Sequence, residues 1–361
     1  MAWTRTRRGL LTGMGASIGV AGLALAGCHR RPSREEPELS VCTWPEFLGS
    51  TTLADFKASS GVVTRASTFV SSEDLFNRLR AGGAAWDVIA LNDQAVARLI
   101  KADLLQPIDH DKIPNLGNVA PRYADAPFDP FRTYSMPYTT SLTGIGFRKS
   151  KMPQGLVPDT WKWVFDSDRF RGRIAVPGDP GWTLPLVAKY LGHSINDISD
   201  DLLARVETVL TKQARAGRLK FHNDDGEEML LHGEVDLVVE CNADVRSVME
   251  RDPDLAFVVP KEGTLIQDCC LCIPAGALHP ENAHAFINFT LDARNGSEIA
   301  NTLGYTTPNA AARALMPAAY RDDPTLFPET SIMARSEYAA WAPEREQAFD
   351  TAMTRIRLAA A

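Results

Sequence analysis

Short apolar segments alternate with amphipathic segments along most of this 361-residue chain, and this alternation constrains its fold most strongly. Short apolar runs predict strands at residues 39–43, 62–69, 86–91, 142–147, 174–177, 235–240, 256–259 and 269–273. Apolar residues that recur every three to four positions predict helices at residues 72–81, 94–101, 184–191, 200–216 and 283–291. Because strands and helices alternate, the sequence predicts an α/β protein with mainly parallel sheets.

Two architectures fit this alternation, a single eight-stranded barrel and a pair of lobes. Residues 103–140 favour two lobes, because this long irregular stretch, rich in Pro and Asp, interrupts the alternation after three strands. The globular part of the chain also has a length typical of two domains. In open α/β sheets a ligand binds beyond the carboxyl ends of the strands, so we expect a site in the cleft between the lobes.

The N-terminus has the features of an export signal. Arg5, Arg7 and Arg8 precede the uncharged residues 9–27, and Leu-Ala-Gly-Cys ends at Cys28. The arginine pair followed by Gly-Leu-Leu resembles a twin-arginine signal, and the final four residues resemble a lipoprotein processing site. We expect residues 1–27 to be a signal peptide and Cys28 to carry the lipid. An uncleaved membrane anchor is the alternative, although the many glycines make this segment only weakly apolar.

Residues 28–38 are charged and contain two prolines, so they predict a tether rather than part of a core. The formal net charge of the chain is -7, and removal of the three arginines of residues 1–27 would change it to -10. No basic patch remains outside the tether, which argues against a nucleic-acid partner. An acidic surface is better suited to a small cation.

Six motifs resemble those of the spermidine/putrescine-binding proteins of ABC transporters. They are VCTWPEF at 41–47, FDPF at 128–131, YSMPY at 134–138, TGIGF at 143–147, PKEG at 260–263 and LGYTTPNAAAR at 303–313. The resemblance runs from about residue 39 to about residue 358. It implies a two-lobed periplasmic binding protein of the type II fold, with strands crossing between lobes that close on a small molecule. We expect residues 39–140 and 268–309 in lobe 1 and residues 141–267 and 310–361 in lobe 2.

The resemblance also implies which residues contact the ligand. A polyamine needs aromatic walls around its methylenes and a carboxylate for each ammonium, because an unpaired buried charge is costly. Trp44, Phe47 and Tyr305 stand at wall positions, where Phe47 replaces a tyrosine. Asp179 stands where the family has a carboxylate for a terminal ammonium.

Other ligand positions have changed chemistry. Trp182 and Cys269 stand where the family has carboxylates, so fewer negative charges face the ligand. Asp268 is adjacent to Cys269, but strand alternation should turn it to the opposite face. The remaining expected ligand residues, several of which replace aromatic residues, are Asp93, Gln94, Asn223, Cys241 and Gln267. The ligand is therefore expected to be a polyamine or another small cation.

The cysteines leave three interpretations open. Cys42, Cys241 and Cys269 fall on strands that end at or cross the predicted cleft, and could bind a soft metal such as Cu(I) or zinc. An oxidising compartment would also permit a disulfide. Packing as small hydrophobic residues is the simplest interpretation, and Cys270 and Cys272 share the other face of their strand.

The segment at 240–244, which follows a predicted strand, also has two interpretations. Its side chains could meet the ligand, or Asn242 could cap a helix in which Asp244 occupies the first turn. In the same way, residues 92–94 could line the cleft or cap a helix.

The one Gly-x-Ser-x-Gly in the sequence, at residues 15–19, lies in the expected signal peptide, and no phosphate-binding glycine loop or His-Glu-x-x-His occurs. The sequence therefore predicts a monomeric, lipid-anchored periplasmic solute-binding protein of an ABC importer, without a cofactor, that meets a permease in the membrane. A receptor for a soft metal or a thiol-reactive ligand is the first alternative. A cysteine-dependent enzyme, with Cys241 or Cys269 as nucleophile and His222 as base, is the second.

Overall fold

The computed structural model describes residues 35–82 and 86–360. The predicted signal peptide, Cys28 and residues 29–34 of the predicted tether lie outside the described residues. Within the described part of the chain, no helix combines the length and apolar character needed to cross a membrane.

Ten strands in the described part of the chain form one open sheet. They are β1 (Glu38–Thr43), β2 (Val63–Thr68), β3 (Val88–Asn92), β4 (Ser135–Arg148), β5 (Ile174–Pro177), β6 (Leu219–His222), β7 (Leu237–Cys241), β8 (Leu255–Val258), β9 (Leu265–Cys272) and β10 (Glu337–Tyr338). Their order is β2-β1-β3-β9-β4-β7-β5-β6, with β8 beside β4 and β10 beside β9. This order has two free ends, so the barrel alternative is wrong.

The helices lie between the strands and after them. They are α1 (Thr52–Ser60), α2 (Ser72–Arg80), α3 (Asp93–Lys101), α4 (Lys162–Phe165), α5 (Pro180–Tyr190), α6 (Asp200–Arg215), α7 (Gly226–Leu231), α8 (Asn242–Met249), α9 (Pro280–Thr290), α10 (Ala293–Leu303), α11 (Ala310–Leu315), α12 (Ala318–Arg321), α13 (Thr330–Met333) and α14 (Pro343–Leu358). Every predicted helix and strand overlaps an observed one.

Strands β4 and β9 lie between two parallel halves of the sheet. β1 is parallel to β2 and β3, and β5 is parallel to β6 and β7. β9 is antiparallel to β3 and β4, and β4 is antiparallel to β7. β4 therefore crosses from one half to the other, as the resemblance implies.

The start of β4 differs from the sequence prediction, and β6 and β10 were not predicted at all. The strand begins at Ser135, inside the stretch predicted to be irregular, and pairs with β9 over this whole extension. Pro137 cannot donate a ladder hydrogen bond, and the register shifts between Pro137 and Thr139. A proline at a bulge disguises a strand in the sequence, which explains the missed residues.

Each half of the sheet has its own hydrophobic core. In the first lobe, Phe56 of α1 and Phe286 of α9 cover one face, and Leu75 of α2 and Val96 of α3 cover the other. In the second lobe, α5, α6 and α14 cover one face, and α7 and α8 the other. Both faces of the inner strands are buried in each half, as is typical of parallel sheets, whereas the edge strand β2 is mostly exposed. The exact lobe boundaries stay a prediction.

A buried ion pair joins the crossing strands. Arg132 and Asp268 have almost no exposed side-chain surface, and Arg132 Nη2 lies 2.6 Å from Asp268 Oδ2. Thr140 of β4 and Tyr338 of β10 donate hydroxyl hydrogen bonds to the same carboxylate at 2.8 and 3.0 Å. Arg132 Nε donates to the carbonyl oxygen of Tyr123 at 2.9 Å. The pair therefore links the loop before β4 to three strands.

A second buried carboxylate lies beside this ion pair. Asp93, at the start of α3, is 2% exposed, and its Oδ1 accepts a hydrogen bond from the backbone N–H of Gln94 at 2.8 Å. Its Oδ2 has no hydrogen-bond partner among the described residues. Burial and the negative charge of Asp268 raise the pKa of Asp93 to about 8, although Arg132 opposes this shift. Asp93 is therefore mainly protonated at neutral pH, and the guanidinium of Arg132 balances Asp268 alone.

We expect Arg132→Leu to lower the free energy of unfolding by about 3–5 kcal/mol, because it leaves Asp268 buried and unpaired. The double variant Arg132→Leu/Asp268→Asn should recover part of this loss in urea denaturation. Arg65→Ala is the control, since the pair of Arg65 with Glu38 is exposed and should contribute less than about 1 kcal/mol. Equal losses in Arg132→Leu and Arg65→Ala would contradict a structural role for the buried pair.

Asp93 should make stability depend on pH in one direction. Its pKa is higher in the folded chain than in the unfolded chain, so the folded state holds the extra proton between about pH 4 and pH 8. The free energy of unfolding should fall as pH rises through this window, by at most about 1.4 kcal/mol per pH unit. Asp93→Asn should reduce the difference in thermal stability between pH 5 and pH 8, whereas Asp350→Asn, at an exposed position on α14, should not. An unchanged pH slope in Asp93→Asn would refute the buried-proton assignment.

Candidate functional site

An aromatic wall follows β1. The ring of Phe47 lies 5.7 Å, centroid to centroid, from the rings of Tyr138 and Tyr305. The hydroxyl of Tyr138 donates to the carbonyl oxygen of Phe47 at 3.2 Å and holds this loop against β4. Trp44 packs on Phe69 with 4.3 Å between ring centroids. The expected wall residues Phe47 and Tyr305 therefore lie together, with Trp44 beginning the same loop.

Asp244 lies against this wall. It occupies the first turn of α8, half-buried, and the hydroxyl of Tyr305 lies 3.5 Å from its Oδ1. Burial, followed by the carboxylates of Glu227 and Asp224, raises the pKa of Asp244 to about 7. The hydroxyl of Tyr305 acts in the opposite direction. A half-buried carboxylate beside an aromatic ring is a suitable partner for an organic cation.

Asp244 belongs to an acidic cluster, which we define as Asp224, Glu227, Glu240 and Asp244. Burial, then Asp244, then Glu227 and Asp224, raise the pKa of Glu240, which is 1% exposed. Burial also raises the pKa of Glu227, with Asp224 contributing. Mutual repulsion therefore makes this side of the cleft favourable for a positive charge.

Sequence reasoning missed this cluster as a unit. Its members follow β6 or lie at the end of β7, and both strands are near neighbours of β5 in the sheet. The carboxyl ends of parallel strands meet at one edge, so this order brings distant segments together. The signal in the sequence was the recurrence of carboxylates after successive strands.

Asn242 has neither of its expected roles. Its side chain is fully buried, and its Oδ1 accepts from the backbone N–H of Leu142 at 3.0 Å. Its Nδ2 donates to Thr306 Oγ1 at 3.2 Å and to the carbonyl oxygen of Thr325 at 3.0 Å. Asn242 therefore ties β4 to two distant segments instead of capping α8.

The floor of the site brings three expected residues together. Cys241 ends β7, and its thiol lies 3.5 Å from Gln267 Oε1 and 3.8 Å from Ser141 Oγ. Thr143 pairs with Cys241 across the β4–β7 ladder. The indole Nε1 of Trp182 donates to Thr143 Oγ1 at 2.8 Å. Cys241, Gln267 and Trp182 therefore lie close to one another beside β4.

Side-chain direction on β9 agrees with the strand alternation expected from the sequence. Gln267 and Cys269 are half-buried, whereas Asp268 between them is buried on the other face. Burial raises the pKa of the Cys269 thiol well above its ordinary value, as it does for Cys241. Both side chains are therefore neutral thiols at neutral pH, which makes them poor nucleophiles.

His222 does not activate either cysteine. Its Nε2 bonds to the carbonyl oxygen of Val239 at 3.0 Å, and its Nδ1 lies 3.6 Å from Glu240 Oε2. Neither ring nitrogen hydrogen-bonds a thiol. The described residues therefore lack the cysteine–histidine pair that the enzyme alternative needs.

The other three described cysteines belong to the core of the first lobe. Cys42, Cys270 and Cys272 are fully buried in one apolar cluster, so Cys42 does not join Cys241 and Cys269. Cys42 and Cys272 pair with Ile89 from opposite sides, two strand spacings or about 10 Å apart. A disulfide needs Cα atoms within about 7 Å, and all five described cysteines are free.

Asp179 and Asn223 lie at the ends of β5 and β6, both exposed. Asp179 caps α5, because its Oδ1 accepts from the backbone N–H of Trp182 at 3.2 Å. Arg357 donates to the carbonyl oxygen of Gly178, next to Asp179, at 2.7 Å. The carboxylate of Asp179 is therefore partly used in the fold and has a guanidinium nearby.

Gln94 lies in the first turn of α3. It is half-buried and lines two cavities of about 210 and 230 Å³, which Trp341 and Glu346 also line. Asp93, its neighbour, points instead into the buried network around Arg132. Trp341 was missed from the sequence because it stands in an irregular segment before α14, where no periodicity marks it.

Comparisons with known proteins support this architecture. Residues 51–328 match the family described as bacterial extracellular solute-binding protein. A putrescine/cadaverine-binding protein of Pseudomonas aeruginosa is 30% identical over 325 residues, covering 87% of this chain and 90% of that protein. The spermidine/putrescine-binding periplasmic protein of Escherichia coli strain K12 is 27% identical over 326 residues, covering 89% and 91%.

A solved structure shows the same fold. It is the spermidine/putrescine ABC transporter substrate-binding protein PotD from Streptococcus pneumoniae, with a TM-score of 0.85 and 23% sequence identity. The match covers 90% of this chain and 99% of that one. The two lobes and crossing strands are thus those of a type II periplasmic binding protein, and the related proteins bind solutes rather than catalyse reactions. The chain belongs to the bacterial extracellular solute-binding protein family.

Proposed function

We propose that this protein is a lipid-anchored periplasmic receptor that binds a polyamine or a similar small organic cation and delivers it to an ABC permease. Relatives that bind putrescine, cadaverine or spermidine, by their names, support this class of ligand. The observation that carries the proposal is Asp244, half-buried against Tyr305 and surrounded by the other carboxylates of the acidic cluster.

An ammonium group fits this arrangement electrostatically. The acidic cluster concentrates four carboxylates whose mutual repulsion and burial oppose ionisation. An ammonium beside Asp244 would offset that repulsion and replace protons as the counter-charge. The neighbouring rings of Phe47 and Tyr305 would cover the methylenes next to the ammonium.

Asp244 is a better partner for this charge than Asp179. Asp179 is exposed, caps α5 and lies close to Arg357, so its carboxylate interacts weakly with a ligand in high-dielectric surroundings. Asp244 is half-buried, where a charge-assisted hydrogen bond is stronger. We expect Asp179 and Asn223 to make weaker contacts with the ligand at the same edge of the sheet.

Neutral side chains in the cleft supply contacts for the rest of the ligand. Gln94, Gln267 and the thiol of Cys269 are half-buried polar groups without a formal charge. Asp93 adds no free negative charge, because it holds a proton inside the buried network. These neutral groups would hydrogen-bond the far end of the ligand, with Trp44 and Trp182 as further apolar contacts.

Calorimetric titration with putrescine and spermidine tests the assignment of the cation site. We expect Asp244→Asn to weaken binding by at least about 30-fold, because it removes a charge-assisted contact worth about 2 kcal/mol or more. Asp179→Asn should weaken binding by less than about tenfold, and Asp350→Asn is the control. A larger loss in Asp179→Asn than in Asp244→Asn would place the main ammonium at Asp179. Absence of binding by the unaltered protein to any polyamine would refute the ligand class.

Lipid anchoring can be tested at Cys28. The full-length chain expressed in its own type of cell should partition into the membrane fraction and the detergent phase, because two or more acyl chains anchor a protein stably. Cys28→Ser should release the protein into the soluble periplasmic fraction. Cys269→Ser, which leaves the processing motif intact, should remain with the membrane. A membrane-bound Cys28→Ser variant would instead favour an uncleaved anchor.

A further inference from the structure

Two residues of the acidic cluster, Glu240 and Asp244, lie close to the thiol of Cys241. One ligand atom from each of Glu240, Cys241 and Asp244 lies within 4.8 Å of the others. Cys241 ends β7 at the N-cap position of α8, and Asp244 follows three residues later in the first turn. Side chains at these two positions approach each other across the start of a helix. The helix start thus gathers a thiol and two carboxylates at one point.

A second observation concerns the buried oxygen of Glu240. Its Oε1 accepts from the backbone N–H of Cys241 at 2.8 Å, whereas its Oε2 has no hydrogen-bond partner among the described residues. The Nδ1 of His222, also buried and without a hydrogen-bond partner in the described chain, faces this oxygen at 3.6 Å. His222 Nε2 lies 3.0 Å from the carbonyl oxygen of Val239, which can only accept, so Nε2 carries hydrogen.

A cation fits between two such electron-pair donors. In neutral His222 the Nδ1 presents a lone pair, so a proton or a metal ion is needed to join it to Glu240 Oε2. Metal–nitrogen and metal–oxygen bonds of about 2.0–2.2 Å place the two donors about 3.3–3.7 Å apart around a shared zinc ion. The observed 3.6 Å separation agrees with that range.

The packing holds both side chains in place. Gly226 begins α7 beside them, and a Cβ added there would lie 2.8 Å from Glu240 Oε2 and 2.9 Å from His222 Cε1. A larger residue at position 226 would therefore displace Glu240 or His222. Donor atoms that are held before the ion arrives lose little freedom when they bind it.

We propose that Glu240, Cys241 and Asp244, with His222 beside Glu240, form a binding site for a thiophilic divalent cation of the zinc class. Thiolate, imidazole and carboxylate are the donors that zinc takes, whereas Mg²⁺ and Ca²⁺ select oxygen donors alone. Asp224 and Glu227 add negative charge around the group and favour a divalent ion. The site differs from a group of Cys42, Cys241 and Cys269, because Cys42 lies in the core.

This inference does not depend on the amine proposal, but the two sites share Asp244. Zinc and an ammonium would therefore compete, and a zinc-loaded receptor should bind putrescine at least about tenfold more weakly. Cys241 separates the two sites, since the ammonium at Asp244 is held by carboxylates and aromatic rings and not by a thiol.

The test is a zinc titration of reduced, chelator-stripped protein by calorimetry. We expect one zinc ion per chain, with affinity reduced on the order of 100-fold in Cys241→Ser and at least tenfold in Asp244→Asn. Cys269→Ser is the matched control, because this thiol lies in the same cleft outside the group, and its zinc affinity should be unchanged. Mg²⁺ should not bind.

The absorption spectrum of bound Co²⁺ distinguishes loss of the thiolate ligand from a general structural effect of the substitution. Co²⁺ bound by the thiolate should give a near-ultraviolet charge-transfer band in the unaltered protein and in Cys269→Ser, but not in Cys241→Ser. If Cys241→Ser fails to fold, Asp244→Asn provides the test, because the half-exposed position of Asp244 tolerates this substitution. Absence of stoichiometric zinc binding, or equal loss in Cys241→Ser and Cys269→Ser, would overturn the proposal. Putrescine titrations in the presence of EDTA report on the amine site separately, so failure of one proposal leaves the other measurable.

Discussion

The buried pair of Arg132 and Asp268 is the interaction on which the arrangement of the cleft depends. A carboxylate and a guanidinium removed from water are stable only when each has its partner and further hydrogen bonds. Here Thr140 and Tyr338 donate hydrogen bonds to the carboxylate of Asp268. The loop before β4, the strands β4 and β9, and β10 therefore meet at one buried ion pair. The crossing strands in turn present Gln267 and Cys269 to the cleft and form the floor on which Trp182 rests.

This centre also determines where the negative charge lies. The resemblance implies an aspartate at position 269 facing the ligand, but the carboxylate stands at 268, on the other face of β9, and is neutralised by Arg132. Asp93 keeps its proton beside it, so neither of these two carboxylates adds a free negative charge to the cleft. The acidic cluster of the second lobe supplies the negative potential instead. The aromatic wall therefore has Asp244, a carboxylate of the second lobe, beside Tyr305.

The cysteines divide according to strand geometry. Cys42, Cys270 and Cys272 point into one apolar core, where thiols behave as small hydrophobic groups. Cys241 and Cys269 face the cleft from different strands, and among the described residues Cys241, but not Cys269, joins two carboxylates in a group of possible metal ligands. One sequence pattern, three cysteines within four positions, thus contains two environments, because successive residues of a strand face opposite ways.

The sequence by itself determined eight of the ten strands and five of the helices in the described chain, because hydrophobic periodicity is carried by contiguous residues. The motifs around Trp44 and Tyr305, which are also contiguous, supplied the expected wall positions through their resemblance to a known family. The sequence also predicted that Asp268 would turn away from Cys269, since strand alternation is local. The beginning of β4 escaped prediction because Pro137 obscures a strand that only pairing with β9 makes evident. Tertiary structure alone decided that Asp224, Glu227, Glu240 and Asp244 form one cluster, that Asn242 joins distant segments, and that Trp341 faces Gln94. These contacts join residues far apart in the chain, and strand order together with the direction of each side chain, rather than any short pattern, brings them within reach.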